Sequence, residues 1–257
     1  MTGKRDLPRL APAVARRVFC RCLALQASWN EQRMQNLGLV NALAPWLRQQ
    51  GLEREQLRRA CRRYYGYFNT NPYLAPYVVG GLLRLEHDRA AGAPVPERLV
   101  AGFRDTLARA CGALGDQLFW LGLRPAVGLL GCLLALRGLW PLVLLLIGAV
   151  AAGQLLLRRR ALGLGFGLGP DVIDVLGRPG WHRAIAWSRR LALALTGMVG
   201  GLYFAGILAV EGPPDTARLL ACALAGLLLP ALVRQRASGE VQLLLGLPLV
   251  AAVALLF

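Results

Sequence analysis

The sequence predicts an all-α integral membrane protein, with amphipathic or interfacial helices on its N-terminal side and about five hydrophobic segments after them, some broken or re-entrant. Three observations lead there. The 257-residue chain is 56% hydrophobic and only 17% charged, where soluble domains carry about 25% charged residues. The apolar excess lies in runs, several near the ~20 residues a helix needs to cross a bilayer. The basic excess, 30 Lys and Arg against 14 Asp and Glu for a net charge of +16, sits ahead of and between those runs, as the positive-inside rule and attraction to anionic lipid require. Two regions follow: a basic amphipathic helical region over 1–110 and a transmembrane helical region over 111–257.

Composition also removes function classes. No basic stretch is interleaved with stacking aromatics on a recognisable module, so nucleic acid is not the expected partner. Six cysteines occur without a CxxC pair or a histidine at ligand spacing, so neither a disulfide framework, a metal site nor a cofactor is expected. Cys132 and Cys222 read as small hydrophobes inside apolar runs. Residues 1–21 are too basic for a signal peptide and lack its apolar core, so the N-terminus is expected in the cytoplasm.

In chain order, residues 1–9 are polar. Val14, Val18, Cys22, Leu25 and Trp29 then recur at helical spacing, with Arg16, Arg17 and Arg21 off the stripe: an amphipathic helix suited to a membrane surface or a partner. A polar run from Gln26 to Gln35 follows. The apolar piece 36–47 is too short to span, and is interfacial, re-entrant or buried among helices. Gln49-Gln50-Gly51 breaks the chain. Leu57, Cys61, Tyr64 and Phe68 make the next stripe, with Arg54, Arg58, Arg59, Arg62 and Arg63 as a solvated face and Glu55 one turn from Arg59. Asn71 and Ala75 each precede a proline and are expected to be extended or in turns, because that position avoids the α region. In Phe68-Asn69-Thr70-Asn71-Pro72, the amides and hydroxyl beside Tyr67, Phe68 and Tyr73 suit either a sugar or a capped helix turn. A loop at 92–96 leads to the stripe Val95, Leu99, Phe103, Leu107.

The stretch 115–125 is apolar enough for a bilayer yet holds Asp116, Gln117, Arg124 and Pro125. Charges at that depth pair or face a cavity, and proline tends to break a helix. It reads either as a broken helix lining a transport path or as a juxtamembrane turn with Arg124 snorkelling to the headgroups. Residues 118–136 and 138–157 are apolar, the second of spanning length, closed by Arg158-Arg159-Arg160. The glycine-rich stretch 161–180 does not fit a nucleotide loop, and its alternating glycines allow close approach of helices or of a loop. Residues 181–190 form a basic connector. Residues 191–210 make a span with Gly197 and Gly201 at helix-contact spacing. The loop 211–215 and the runs 219–233 and 241–257 complete the chain. With five crossings, the arginine-rich segments 1–110, 158–190 and 234–236 fall on one side, giving N-in, C-out.

Three blocks carry a resemblance: Gln26-Ala27-Ser28-Trp29-Asn30 with Arg33-Met34-Gln35; Phe68-Asn69-Thr70-Asn71-Pro72 with Leu74-Ala75-Pro76 and Leu85-Glu86; and Gly115-Asp116 with Phe119-Trp120 and Leu123-Arg124-Pro125. In this order and spacing the sequence resembles, over about 13–175, the IID subunit of the mannose/fructose/sorbose class of bacterial sugar phosphotransferase systems. The resemblance implies an all-helical, multi-pass protein of the bacterial cytoplasmic membrane. It would pair with a IIC subunit in a higher oligomer that translocates a hexose, while soluble IIA and IIB subunits carry the phosphate. The IID chain itself would be neither phosphorylated nor catalytic, and neither His87 nor His182 stands in a phosphocarrier context. On this reading Asn69 and Thr70 are hydroxyl ligands or gate residues. Asp116, Trp120 and Arg124 shape the broken helix, and Gln26, Trp29 and Asn30 support it. Two departures, Arg109-Ala110-Cys111-Gly112-Ala113 where the family carries Gly-Pro-Leu-Ala-Gly and a short connection near 211–215, motivate a second reading: a transport-incompetent scaffold or regulatory subunit.

Overall fold

The computed structural model describes residues 8–207 and 223–224. The expected loop at 211–215, most of the runs 219–233 and 241–257, and Cys222 lie outside the described residues. Among those described, every regular element is helical, with isolated bridges only at Asn30/Met34 and Met34/Phe68.

Proline at the first turn starts α1 (Pro12–Leu23), where a missing amide costs nothing. Its stripe Val14, Val18, Cys22 is buried, but the helix ends at Leu23. The expected continuation to Trp29 fails: Leu25 is buried in the following turn, whereas Trp29 is 51% exposed. α2 (Asn36–Leu47) resolves the choice left open by the sequence, because Gly38, Leu39, Ala42, Leu43, Trp46 and Leu47 are all buried, placing it among helices. Gly38 lies flush on the Leu25 carbonyl, which a Cβ would overlap. A 3-10 turn at Arg48–Gln50 and Gly51 in the left-handed region (φ 63°) break the chain as expected.

A Glu53/Gln56 capping box opens α3 (Arg54–Arg62). Glu55 pairs with Arg58 at 3.6 Å rather than with Arg59. Tyr64 and Phe68 are buried beyond the helix end. α4 (Ala75–Ala90) opens on Ala75, a residue expected outside a helix, because Pro76 falls in its first turn. The helix is buried from Ala75 through Leu83, as one apolar on every side must be.

In α5 (Glu97–Gly115) the inward stripe is Val100, Phe103, Leu107 and Cys111. The expected member Leu99 is 45% exposed, because the helix starts after Val95 and its face is set by Val100. The expected break at 115–125 does not occur. The chain widens into a π-helix, Asp116–Leu123, and continues as α6 (Arg124–Leu136), so that Glu97–Leu136 is helical throughout. Pro125, which lacks an amide donor, falls where the π-helix returns to α geometry. Gly138 turns the chain at φ 70°. α7 (Trp140–Leu168) then runs past Arg158-Arg159-Arg160 instead of stopping there, and absorbs the first half of the glycine-rich stretch. A 3-10 turn (Gly169–Asp171), α8 (Val172–Leu176) and α9 (Pro179–Ile207) follow.

Two stretches, Glu97–Leu136 and Trp140–Leu176, are long and apolar enough to cross a membrane, and no residue of the most apolar 18-residue window of the second is buried. Leu136, Trp140, Leu144, Leu145 and Ile147 are all more than half exposed, an apolar surface far larger than a soluble monomer presents.

The chain divides into two units. One is residues up to Asp116 with Val150–Trp181; the other is Gln117–Ala149 with residues from His182 onward. In the first, α4 is the hub, packed by α1, α2, α5 and the turn after α7. Its crossing with α7 is glycine on glycine. A Cβ on Gly80 would overlap the Leu162 carbonyl, and one on Gly165 the Tyr77 carbonyl. In the second unit, α6 meets α9 through Ala126, Ala192 and Leu195, backed by Leu129, Leu130, Leu133 and Met198. Gly197 and Gly201 are both buried.

Candidate functional site

Three polar segments of the first unit interlock. The loop between α1 and α2 closes on itself, with Asn30 and Met34 exchanging backbone hydrogen bonds of 3.0 and 2.8 Å. Met34 adopts φ 55°, a conformation that costs a non-glycine residue free energy and persists only when its surroundings hold it. Asn30 supplies that hold: its Oδ1 accepts from the Arg33 amide at 2.8 Å, and its Nδ2 donates to the Met34 carbonyl and to Asn36 Oδ1.

Next, the loop clamps the segment after α3. The Gln35 amide donates to the Phe68 carbonyl at 2.8 Å, and the Phe68 amide donates to the Arg33 carbonyl. The Gln35 side chain, 2% exposed, donates from Nε2 to the Thr70 carbonyl at 2.9 Å and accepts the Thr70 amide at 3.2 Å. A side-chain amide thus satisfies both backbone groups of a residue that has no strand partner. Asn36 Nδ2 and Arg33 Nη1 both donate to the Tyr65 carbonyl.

The third segment is the end of α5. Thr70 Oγ1 donates to the Ala108 carbonyl at 2.9 Å. Asn71, 1% exposed, accepts the Tyr73 amide at its Oδ1 and donates from Nδ2 to Asp116 Oδ1, each at 3.0 Å. Its carbonyl accepts the amides of Leu74 and Ala75 and so starts α4. Gly115 lies against the Asn71 side chain with no room for a Cβ. Glycine is required there because the amide must reach over the helix to the carboxylate of the next residue.

The structure therefore brings together Asn30, Thr70 and Asp116 with their neighbours, and separates their chemistry. Thr70 is buried with its hydroxyl engaged. Asn69 is exposed, and among the described residues its side chain makes no hydrogen bond. Asp116 is exposed beyond its bond to Asn71. Gln26 and Trp29 are exposed on the turn leading into the loop. In the second unit, Arg124 lies over the Trp120 ring with its guanidinium carbon 4.4 Å from the centroid, at the junction of the π-helix and α6. Gln117 accepts from Arg189 at 3.3 Å, and Gly122 is closed over by the Ser188 side chain.

Asn71 takes the capped-turn alternative that the sequence offered for its segment; the organising residues that sequence reasoning left without a role are Gln35 and Gly115. Their signal was an amide-rich run bracketed by apolar positions and a glycine immediately before a carboxylate. A second missed feature is a buried ionic cluster. Glu86 accepts from Tyr64 Oη at 2.5 Å and from Arg63 Nη2 at 2.9 and 3.0 Å, with Arg89 at 3.6 Å. Arg63 is thus no solvated residue. Burial, reinforced by the Glu86 charge, pushes the Tyr64 phenol far above its usual range. Burial alone drives the Cys22 thiol up to about 12, against a smaller lowering by Arg158. Among the described residues no three His, Cys, Asp or Glu side chains converge as metal ligands.

Comparison with known proteins places these segments in context. The family described as "PTS system mannose/fructose/sorbose family IID component" matches residues 9–207. The mannose-specific EIID component of Escherichia coli (strain K12) is 32% identical over 172 residues, which are 66% of this chain and 60% of that one. The sorbose-specific EIID component of Lacticaseibacillus casei is 34% identical over 144 residues, 56% of this chain and 51% of the relative. The chain thus spans three fifths or less of the length of these relatives. Among solved structures, the cryo-EM complex of the mannose transporter ManYZ with microcin E492 aligns at TM-score 0.58 and 30% identity, covering 75% of this chain and 71% of the other. A second structure, described only as a membrane protein, aligns at TM-score 0.67 and 24% identity over 97% and 98% of the two chains, a likeness of fold.

Proposed function

Because the chain belongs to the mannose/fructose/sorbose family of phosphotransferase-system IID components, we propose that it is the non-phosphorylated membrane subunit of a phosphoenolpyruvate-dependent sugar permease. It would translocate a hexose together with a IIC subunit, in a higher oligomer served by soluble IIA and IIB phosphocarriers. The observation that carries this reading is the family match across residues 9–207, which takes in all three interlocked segments. The setting is the bacterial cytoplasmic membrane, multi-pass and N-in, with residues 1–110 as the basic helical region and 111–257 as the transmembrane region.

On this reading the polar lock fixes the ends of α4 and α5 so that Asn69 and Asp116 present an amide and a carboxylate to sugar hydroxyls. Carbohydrate sites use such groups because each hydroxyl both donates and accepts. Thr70, Gln35 and Asn71 hold those two in place, and Asn30 with Gln26 and Trp29 supports the loop behind them. The Trp120 ring, held by Arg124, offers a flat face to a sugar C–H surface as a separate contact. Uptake of radiolabelled mannose into vesicles holding this chain and its IIC partner, supplied with phosphorylated IIA and IIB, tests the proposal. Asn69→Ala and Asp116→Ala are expected to lower uptake at least tenfold while leaving membrane assembly intact, about the loss that follows when a hydrogen bond to bound ligand is removed. Full uptake by both variants refutes the site; no uptake by the unmodified pair refutes the function.

A further inference from the structure

A groove in the first unit, of about 920 Å³, is lined by two helix faces and no carboxylate. Arg9, just ahead of α1, joins Arg16 and Phe19 of α1 on one side; Arg159, Leu162 and Phe166 of α7 form the other. The helical repeat explains the sorting. On α1, Arg16 lies opposite the stripe Val14, Val18, Cys22 that faces the core, and Phe19 flanks it. On α7, Arg158 turns the other way and lies over the Tyr73 ring, 4.5 Å from its centroid, which leaves Arg159 to the groove. All three groove arginines are exposed, while Leu162 and Phe166 form a buried floor. None of the three arginines takes part in an ion pair among the described residues.

We propose that this groove binds an anionic phospholipid, its phosphodiester headgroup on Arg9, Arg16 and Arg159 and one acyl chain along Phe19, Leu162 and Phe166. Three features select this occupant. A cationic rim above an apolar floor matches an amphiphile with a negative head, and not a free sugar or a peptide helix. The groove lies where the apolar, exposed part of α7 gives way to Arg158-Arg159-Arg160, the level at which headgroups meet a helix end. Arginine also grips phosphate through its planar fork of donors, and each basic residue near an anionic leaflet adds attraction. The proposal concerns a discrete site, separate from the polar lock.

The test uses the full chain purified with its IIC partner. Native mass spectrometry compares retention of phosphatidylglycerol with phosphatidylcholine. The unmodified protein is expected to hold phosphatidylglycerol about tenfold or more tightly, given the summed attraction of three arginines. The variant Arg9→Gln/Arg16→Gln/Arg159→Gln should lose that preference. Arg17→Gln/Arg54→Gln/Arg62→Gln, an equal loss of charge outside the groove, should keep it. A second readout needs no variant. Cys20 lines the groove and is an exposed free thiol, so its alkylation should slow several-fold in phosphatidylglycerol nanodiscs relative to phosphatidylcholine ones, and stay unchanged with glycerol 3-phosphate alone. Equal loss in both triple variants, or equal Cys20 rates in the two lipids, overturns the site. Protection by glycerol 3-phosphate without lipid overturns the lipid as its occupant.

Discussion

At the scale of single residues, the polar groups that matter most to folding are the ones the chain hides. Gln35 satisfies both backbone groups of Thr70 from a position 2% exposed. Gln35→Ala leaves a buried donor and acceptor without partners, at about 1–3 kcal/mol for such an orphaned group. A fall in the thermal midpoint of the purified complex, larger than for Gln26→Ala on the exposed turn, is the expected result. Glu86 is a stronger case. Its removal leaves the buried Tyr64 hydroxyl unpaired and Arg63 with only a 4.0 Å contact to the exposed Glu97, at about 1–3 kcal/mol for each orphaned group. Glu86→Ala is expected to express poorly or unfold early, whereas the surface pair partner Glu55→Ala should be silent.

Tyr64 adds a pH dependence. Its phenol is raised in the folded chain by burial and by Glu86, so above the ordinary tyrosine range the unfolded chain releases a proton that the folded chain keeps. Stability from this group is fully present below about pH 10 and falls as pH rises beyond it. Tyr64→Phe should flatten that alkaline decline in unfolding experiments while lowering stability at neutral pH. An unchanged alkaline slope would place the titration elsewhere.

At the scale of elements, the helix crossing of α4 and α7 depends on backbone approach. Gly80 and Gly165 each face a carbonyl of the other helix with no room for a methyl. Gly80→Ala and Gly165→Ala are therefore expected to push the helices apart and cost several times the ~1 kcal/mol that alanine would gain by helix propensity. Gly128→Ala, which meets nothing on α6, should be neutral or stabilising. A melting series across the three glycines separates packing from propensity. The π-helix at Asp116–Leu123 is the other element-level finding. Gly115, Asp116 and Pro125 announced a disruption of the α register, and the sequence reading expected a break. A wide π turn precedes the proline and keeps the helix continuous, which periodicity cannot distinguish from a stop.

At the scale of the molecule, α6 and α7 each expose apolar side chains, and arginines flank those runs in the sequence. On the proposed function, hexose uptake, lipid retention and unfolding probe different parts: the exposed Asn69 and Asp116, the α1/α7 groove, and the buried lock. Asn69→Ala should depress uptake without lowering the melting midpoint, and Gln35→Ala should lower both.

What the sequence determined by itself was the helical class, the apolar runs of α6, α7 and α9, the separation of arginine from those runs, and the glycine and proline breaks at Gly51 and before α4. These follow from local composition and from a 3.6-residue period, which each segment carries within itself. Only the tertiary structure decided which members of one polar run are interior. Asn69 is exposed beside a buried Thr70 and Asn71, and Trp29 is exposed beside Leu25. Burial there depends on Gln35, Ala108 and Asp116, residues about 35 to 45 positions away in the chain, and no local pattern encodes a neighbour at that distance.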